Sequence, residues 1–186
     1  GQLSTKALRF NGVAADSVSG SVMLDFQSQQ LVIDRLETKR NGAPGIGQLV
    51  VHFGSDQPRL AFNLESTFDS TALLTMINAN WRNLLREQGL RFGRTQHVRT
   101  SGFSMLAEPF DHDALIEVRA DDVAWREFAG TGAEALVRLT PAQTLVTATL
   151  ASANHQGWTH ERVRATDFVL ANGVVTAAIA ADRSRF

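Results

Sequence analysis

The residues of this chain that could bind a metal ion are its histidines and the run Asp111-His112-Asp113. The histidines are His52, His97, His112, His155 and His160. Adjacent side chains of a β-strand point to opposite faces, so the three members of this run could not hold one ion from a strand. Next to Pro109 the run is more typical of a turn. His155 and His160 have no Cys or carboxylate at zinc-site spacing. We predict no metal site and no cofactor.

Acid–base or nucleophilic chemistry would need paired carboxylates or an activated nucleophile. Asp121-Asp122 is such a pair, but two neighbouring Asp residues at a strand end are more often a solvated turn. No Ser lies in a nucleophile elbow. The chain has no cysteine, which excludes a disulfide framework, a zinc–thiolate site and a thiol nucleophile. The sequence therefore predicts no catalytic residue, and a protein that is not an enzyme.

The charges are nearly balanced, with 18 Lys and Arg against 19 Asp and Glu and a net charge of −1. This balance removes the electrostatic case for a nucleic-acid partner, which requires a basic patch. A short basic stretch, Arg91, Arg94 and Arg99 with His97, is interpreted as a solvated loop, or as a contact with anionic lipid headgroups or a partner. The apolar stretch from Phe168 to Ala181 is too short to span a membrane, so we predict no membrane span in this segment.

One segment, Asp69 to Gln88, has the period of an amphipathic α-helix, because its apolar residues recur three, four and seven positions apart. Asp69 or Ser70 can cap the first turn, and Gly89 can close the last. The predicted packing face of this helix consists of Leu73, Ile77, Trp81, Leu84 and Leu85. Nearly all other segments have strand character, so a curved β-sheet must be the partner of this face.

The strands predicted from alternating apolar residues follow one another too closely for crossover helices, so the sheet should be mainly antiparallel. Between Ile33 and Leu36 the alternation slips, which predicts a bulge or strand end near Arg35. Six alternating residues should line one apolar face: Val22, Leu24, Phe26, Leu60, Phe62 and Leu64. They are candidates either for a closed core or for lipid-facing positions in an open groove or half-barrel.

The chain is predicted to form a single β-rich domain over residues 1–186, built of hairpin repeats. A weak internal repeat suggests two similar units, 18–102 with the helix and 103–186 without it. The repeat equates Leu31 with Leu115, an offset of 84 positions, and Gly47 with Gly132. Such a repeat is typical of a sheet that is extended by stacking similar hairpins.

The segment from Val18 to Gly102 also carries an ordered series of motifs. They are Gly20-Ser-Val-Met-Leu-Asp-Phe, Leu31-Val-Ile-Asp-Arg-Leu, Gly47-Gln-Leu-Val-Val-His-Phe and Leu64-Glu-Ser-Thr-Phe-Asp-Ser-Thr-Ala-Leu-Leu. This order resembles a repeat unit of the AsmA-like family, which includes TamB. That unit consists of a glycine-led strand, an alternating strand, a glycine turn, another strand and a short helix. Residues 114–181 repeat the strands without the helix, which departs from that pattern.

The resemblance implies a large bacterial envelope protein, anchored in the inner membrane and extending through the periplasm of a Gram-negative bacterium. It implies a β-rich region with an apolar inner face, and a role in outer-membrane homeostasis, lipid transport or assembly without any cofactor or reaction. The expected partners are lipid acyl chains and neighbouring repeats of a longer parent chain. The alternative function is a structural module whose sheet edges pair with neighbouring repeats or with a partner protein.

Overall fold

The protein forms one large antiparallel sheet. The computed structural model describes residues 1–10, 13–68, 89–93, 95–108, 111–171 and 174–186. The strands are β1 Gln2–Phe10, β2 Val13–Asp25, β3 Gln30–Arg40, β4 Ala43–His52, β5 Arg59–Ser66, β6 Leu90–Phe92, β7 Thr95–Met105, β8 His112–Trp125, β9 Phe128–Leu139, β10 Thr144–His155, β11 Trp158–Ala171, β12 Val174–Ala180 and β13 Arg183–Arg185. The prediction of a mainly β, antiparallel fold is confirmed.

The strand order follows the sequence almost without exception. The path is β1-β2-β3-β4-β5-β7-β8-β9-β10-β11-β12, while β6 pairs with the end of β8 and β13 pairs with the start of β11. The sheet is open and does not close into a barrel. Within the described residues, its two edges are therefore β1 on one side and β12 with β13 on the other.

The pairing register sorts the side chains onto two faces, because directly opposite residues of antiparallel strands share a face. What we call the apolar face carries the cross-strand row Val22, Ile33, Leu49, Phe62, Gly102, Ala114 and Leu139. What we call the polar face carries the row Glu37, Ile46, Glu65, Arg99, Glu117, Leu136 and Thr147. The sheet thus presents one mostly hydrophobic surface and one mixed surface, on which charged residues are joined by an apolar row of Met23, Val32, Val50, Ala61 and Phe103.

A bulge in β3 keeps the apolar residues of that strand on one face. Arg35 has a φ of 49°, and the β3–β4 register shifts between Ile33 and Leu36. One extra residue reverses the alternation, so Ile33 and Leu36 both reach the apolar face although they lie three positions apart. The predicted bulge near Arg35 is confirmed.

Two segments, the Gly/Pro-rich run 41–47 and the basic stretch, are largely strand. In the Gly/Pro-rich run 41–47, only Asn41-Gly42 forms the turn, and β4 begins at Ala43. The φ angles of 49° and 79° at Asn41 and Gly42 are those an Asn-Gly hairpin turn requires. The interpretation of the basic stretch as a loop was wrong for Arg91 and Arg99, which lie in β6 and β7 with exposed side chains.

The predicted helix from Asp69 to Gln88 lies outside the described residues. Its packing face, Leu73, Ile77, Trp81, Leu84 and Leu85, is therefore still a prediction, and the described part of the chain contains no helix. The last described residue before this segment, Phe68, is buried. No helix within the described ranges is long and apolar enough to cross a membrane.

The register bears on one alignment of the internal repeat, that of Leu31 with Leu115. Leu31 lies on the apolar face, in the same cross-strand row as Val51 and Leu60. Leu115 lies on the polar face, where it pairs with Arg138. The offset of 84 positions thus equates side chains that point to opposite sides of the sheet. The division into units 18–102 and 103–186 remains a prediction.

Candidate functional site

The apolar face is the candidate site. Five of its six predicted residues come together through the register. Val22 and Phe62 lie in one cross-strand row. Leu24 and Leu60 lie in the next row, which also contains Leu31 and Val51. Leu64 lies on the same face, opposite Gly47 and Thr100. These positions form a continuous apolar surface across β2, β3, β4 and β5.

The sixth residue, Phe26, is not part of the ladder. The strand ends at Asp25, whose Oδ1 accepts hydrogen bonds from the backbone N–H of Gln27 at 2.9 Å and of Ser28 at 3.3 Å. Its Oδ2 accepts from the Ser28 hydroxyl at 2.6 Å, and these bonds together lower the pKa of Asp25. The Asx turn replaces strand pairing here. Phe26 therefore lies in the turn, 75% exposed.

Part of the apolar face is a packed core. Val98, Ala114, Ile116 and Leu139 form one buried cluster, against which Phe62 packs. Ala15, Val18 and Leu36 form a second, against which Leu64 packs. For Phe62 and Leu64 the core alternative therefore has direct support, since hydrophobic contacts already occupy part of their surface.

The exposure of the apolar face increases along β2. Ala15 and Val18 are 5% and 6% exposed, whereas Leu24, on the same strand and near the hairpin turn, is 50% exposed. Phe26 and Phe53, which follow the ends of β2 and β4, are 75% and 38% exposed. The face is thus covered at one end of β2 and open to solvent at the other.

One polar atom is buried within this hydrophobic surface. The Thr100 side chain lies on the apolar face between Leu64 and Ile116, and its Oγ1 has no hydrogen-bond partner among the described residues. A buried hydroxyl without a partner costs about 1–3 kcal/mol.

The polar face carries ion pairs and one open depression of about 610 Å³. Its polar lining residues are His97, Glu117, Arg119, Glu134, Thr147 and Thr149. Arg119 Nε is 3.4 Å from Glu134 Oε1, and His97 Nδ1 is 3.6 Å from Glu65 Oε1. These groups pair across strands and face solvent, which is the arrangement expected of a charged sheet surface.

Asp113 and Arg138 form a bidentate pair on this face. Arg138 Nη2 donates to Asp113 Oδ2 at 2.7 Å, and Arg138 Nε donates to Oδ1 at 3.1 Å. The hydrogen bonds from Arg138 lower the pKa of the Asp113 carboxyl. The turn interpretation of Asp111-His112-Asp113 was wrong for its last two residues, because β8 begins at His112. Within the described ranges, no group of three or more His, Asp or Glu is arranged to hold a metal ion.

The Asp113–Arg138 pair predicts a pH-dependent contribution to stability. Because the folded-state pKa of Asp113 is lowered, this contribution is complete above the unfolded pKa of about 3.9 and is lost as the pH falls through the folded value. Asp113→Asn should therefore be less stable than wild type at pH 7, with the difference shrinking as the pH is lowered. Urea titrations of both proteins at several pH values measure this difference in the free energy of unfolding. Arg138→Gln should give the same profile, and a difference independent of pH would contradict the prediction.

Several residues of the apolar face were not singled out from the sequence. Val98, Ala114, Ile116 and Leu139 are each 4% exposed or less. The available signal was the spacing of two positions at Ala114, Ile116, Val118 and Ala120, which places all four on one side of β8. Their burial depends on how β7 and β9 pack against β8, so alternation alone does not distinguish them from half-exposed positions.

Comparison with known proteins gives no relative for this chain. No protein family, no curated protein and no solved structure matches it. The AsmA-like resemblance of residues 18–102 therefore remains a prediction from the residues that carry it.

Proposed function

We propose that this chain is a non-enzymatic domain of a Gram-negative cell-envelope protein that binds or guides lipid acyl chains along its apolar face. The observation that supports it best is Leu24, which is 50% exposed yet lies in the same cross-strand row as Leu31, Val51 and Leu60. An open position at the end of a continuous hydrophobic surface offers a ligand both contact and access.

The dimensions of this row suit an elongated apolar ligand. Four strands at a spacing of about 4.8 Å give a hydrophobic row about 14 Å long from Leu24 to Leu60. Each methylene that leaves water on such a surface contributes about 0.8 kcal/mol. A linear acyl chain can follow the row, whereas a compact polar ligand would find few hydrogen-bonding partners there.

The envelope role and the periplasmic location rest on the AsmA-like resemblance. In that setting the domain contributes to outer-membrane homeostasis or assembly by shielding acyl chains from water, with neighbouring repeats of a longer parent chain continuing the surface. Two unpaired sheet edges in the described part of the chain favour a second candidate function, a structural module that pairs with neighbouring repeats or a partner protein.

The lipid proposal is tested by a pair of adjacent substitutions. Leu24 and Met23 are 50% and 58% exposed but lie on opposite faces of β2. We expect Leu24→Asp to weaken binding of a fluorescent fatty acid by about ten- to a hundredfold, because a lost leucine contact is worth about 1.5–3 kcal/mol. Met23 ends the apolar row of the opposite face, with Val32 and Val50, so Met23→Asp should leave the affinity unchanged if the ligand follows the row of Leu24.

Circular dichroism and thermal unfolding first establish that both variants are folded. Displacement of the fluorescent probe by unlabelled palmitate and by phosphatidylethanolamine then separates fatty acid from phospholipid binding. Wild-type protein that binds neither at micromolar concentration would refute the proposal. Equal weakening by both substitutions would also refute it, because the ligand would then not distinguish the two faces.

A further inference from the structure

The two edges of the sheet differ in how they are protected against pairing with another strand. An edge strand exposes a row of unpaired N–H and C=O groups, and soluble proteins commonly guard it with charges, proline or a bulge. The edge strand β1 has such guards, since it contains Lys6 and Arg9 and has a positive φ of 57° at Ala7. This edge is unsuited to a regular ladder with a further strand.

The opposite edge has a stretch without any of these guards. The sequence of β12, Val-Val-Thr-Ala-Ala-Ile-Ala, contains no charged residue, no proline and no glycine. Thr176, Ala178 and Ala180 are exposed, and Ile179 is 68% exposed. Charges return immediately beyond this stretch, where Asp182 pairs with Arg162 at 3.0 Å and β13 contains Arg183 and Arg185. The unguarded edge is therefore confined to the seven residues of β12.

We propose that β12 pairs antiparallel with β12 of a second copy of this chain, around a two-fold axis, and extends the sheet across the interface. A strand is the required partner, because only another strand satisfies a row of alternating donors and acceptors. Self-pairing buries no charge, since neither copy brings one, and it forms a closed two-fold dimer. Pairing with β1 would instead place Lys6 against an uncharged strand, and Ala7 would interrupt the ladder.

The geometry of such a pair has a defined consequence for the two faces. The two-fold axis of an antiparallel pair stands perpendicular to the sheet, so the apolar faces of both copies lie on the same side. Ile179 pairs with Ala165, which in turn pairs with Ala148, and this row belongs to the apolar face. The exposed Ile179 of each copy thus lies beside the junction, on the same side as the hydrophobic surface it would extend.

The test is the oligomeric state of the purified protein. We expect sedimentation equilibrium from about 1 µM to about 1 mM to show a reversible monomer–dimer equilibrium, the range in which modest interfaces dissociate. Ala178→Lys places like charges at the junction and should raise the dissociation constant at least about tenfold. The matched control Ser4→Lys adds the same charge to the exposed surface of β1 and should leave the equilibrium unchanged.

Thr176→Lys provides a second variant in case Ala178→Lys fails to fold. Hydrogen exchange of the β12 amides should slow as the concentration rises, whereas that of the β1 amides should not. A protein that is monomeric up to about 1 mM would overturn the proposal. So would an association that Ser4→Lys weakens as much as Ala178→Lys, because the contact would then involve β1. The proposal does not depend on lipid binding.

Discussion

Replacing Gly102 with alanine should lower the free energy of unfolding by about 3 kcal/mol or more. Gly102 has a φ of 151°, a conformation that side chains other than hydrogen rarely adopt. An added Cβ would lie against the backbone carbonyl of Asp113 and 2.8 Å from Ala114 Cα, in the neighbouring strand. Strained backbone costs about 1–3 kcal/mol and overpacking adds a similar amount. Urea unfolding followed by fluorescence measures the loss.

Gly42→Ala is the matched control for this prediction. Gly42 also has a positive φ, of 79°, but in the part of the chain that the structure describes no heavy atom lies within 4 Å of an added Cβ. The substitution should therefore cost only the backbone term, about 1–2 kcal/mol. Equal destabilisation at both glycines would show that the close approach of β8 to Gly102 contributes nothing.

Ile116→Ala has the second large expected effect, a loss of about 2–5 kcal/mol. Ile116 is 2% exposed and lies in the buried cluster with Val98, Ala114 and Leu139. Removing three carbon atoms leaves a cavity that these neighbours cannot fill, because the rigid sheet backbone holds them apart. Chemical denaturation of the purified variant gives the change in free energy.

Leu115→Ala is the natural comparison for Ile116→Ala. Leu115 is the preceding residue of β8, lies on the polar face and is 37% exposed. Its truncation removes the same number of carbon atoms but should cost about 1 kcal/mol or less, because solvent replaces the lost side chain. If the two variants were equally stable, the side of β8 that carries Ile116 would not be its buried side.

How far the fold could be predicted is best seen in β2 and β3. The slip from Ile33 to Leu36 contains enough information to place the bulge at Arg35, because a bulge is the simplest way to keep both residues on one face. The same reasoning extended β2 to Phe26. There the local hydrogen bonds of the Asp25 side chain prevail over alternation, a competition that hydrophobic pattern alone does not reveal.

The first half of the strand from Thr95 to Met105 escaped prediction for a different reason. Its buried side contains Val98, Thr100 and Gly102, two of which are small or polar, so the hydrophobic alternation is faint. The strand pairs along its length with β5 and β8, and these ladders override the weak local preference. Consequently the sequence indicated the β2–β5 part of the apolar face but not its continuation into β7–β9.

The order of the strands bears on how the chain folds. Nearly every ladder joins strands that are consecutive in sequence, so most of the sheet can form hairpin by hairpin with little loop-closure entropy. The short ladders of β6 with β8 and of β11 with β13 are exceptions, and so is the long ladder of β5 with β7, in which Ser66 pairs with Val98. We expect this closure to be the slowest step of folding. Until it occurs, β1–β5 and β7–β13 would be two separately forming sheets, each with a temporary edge of its own.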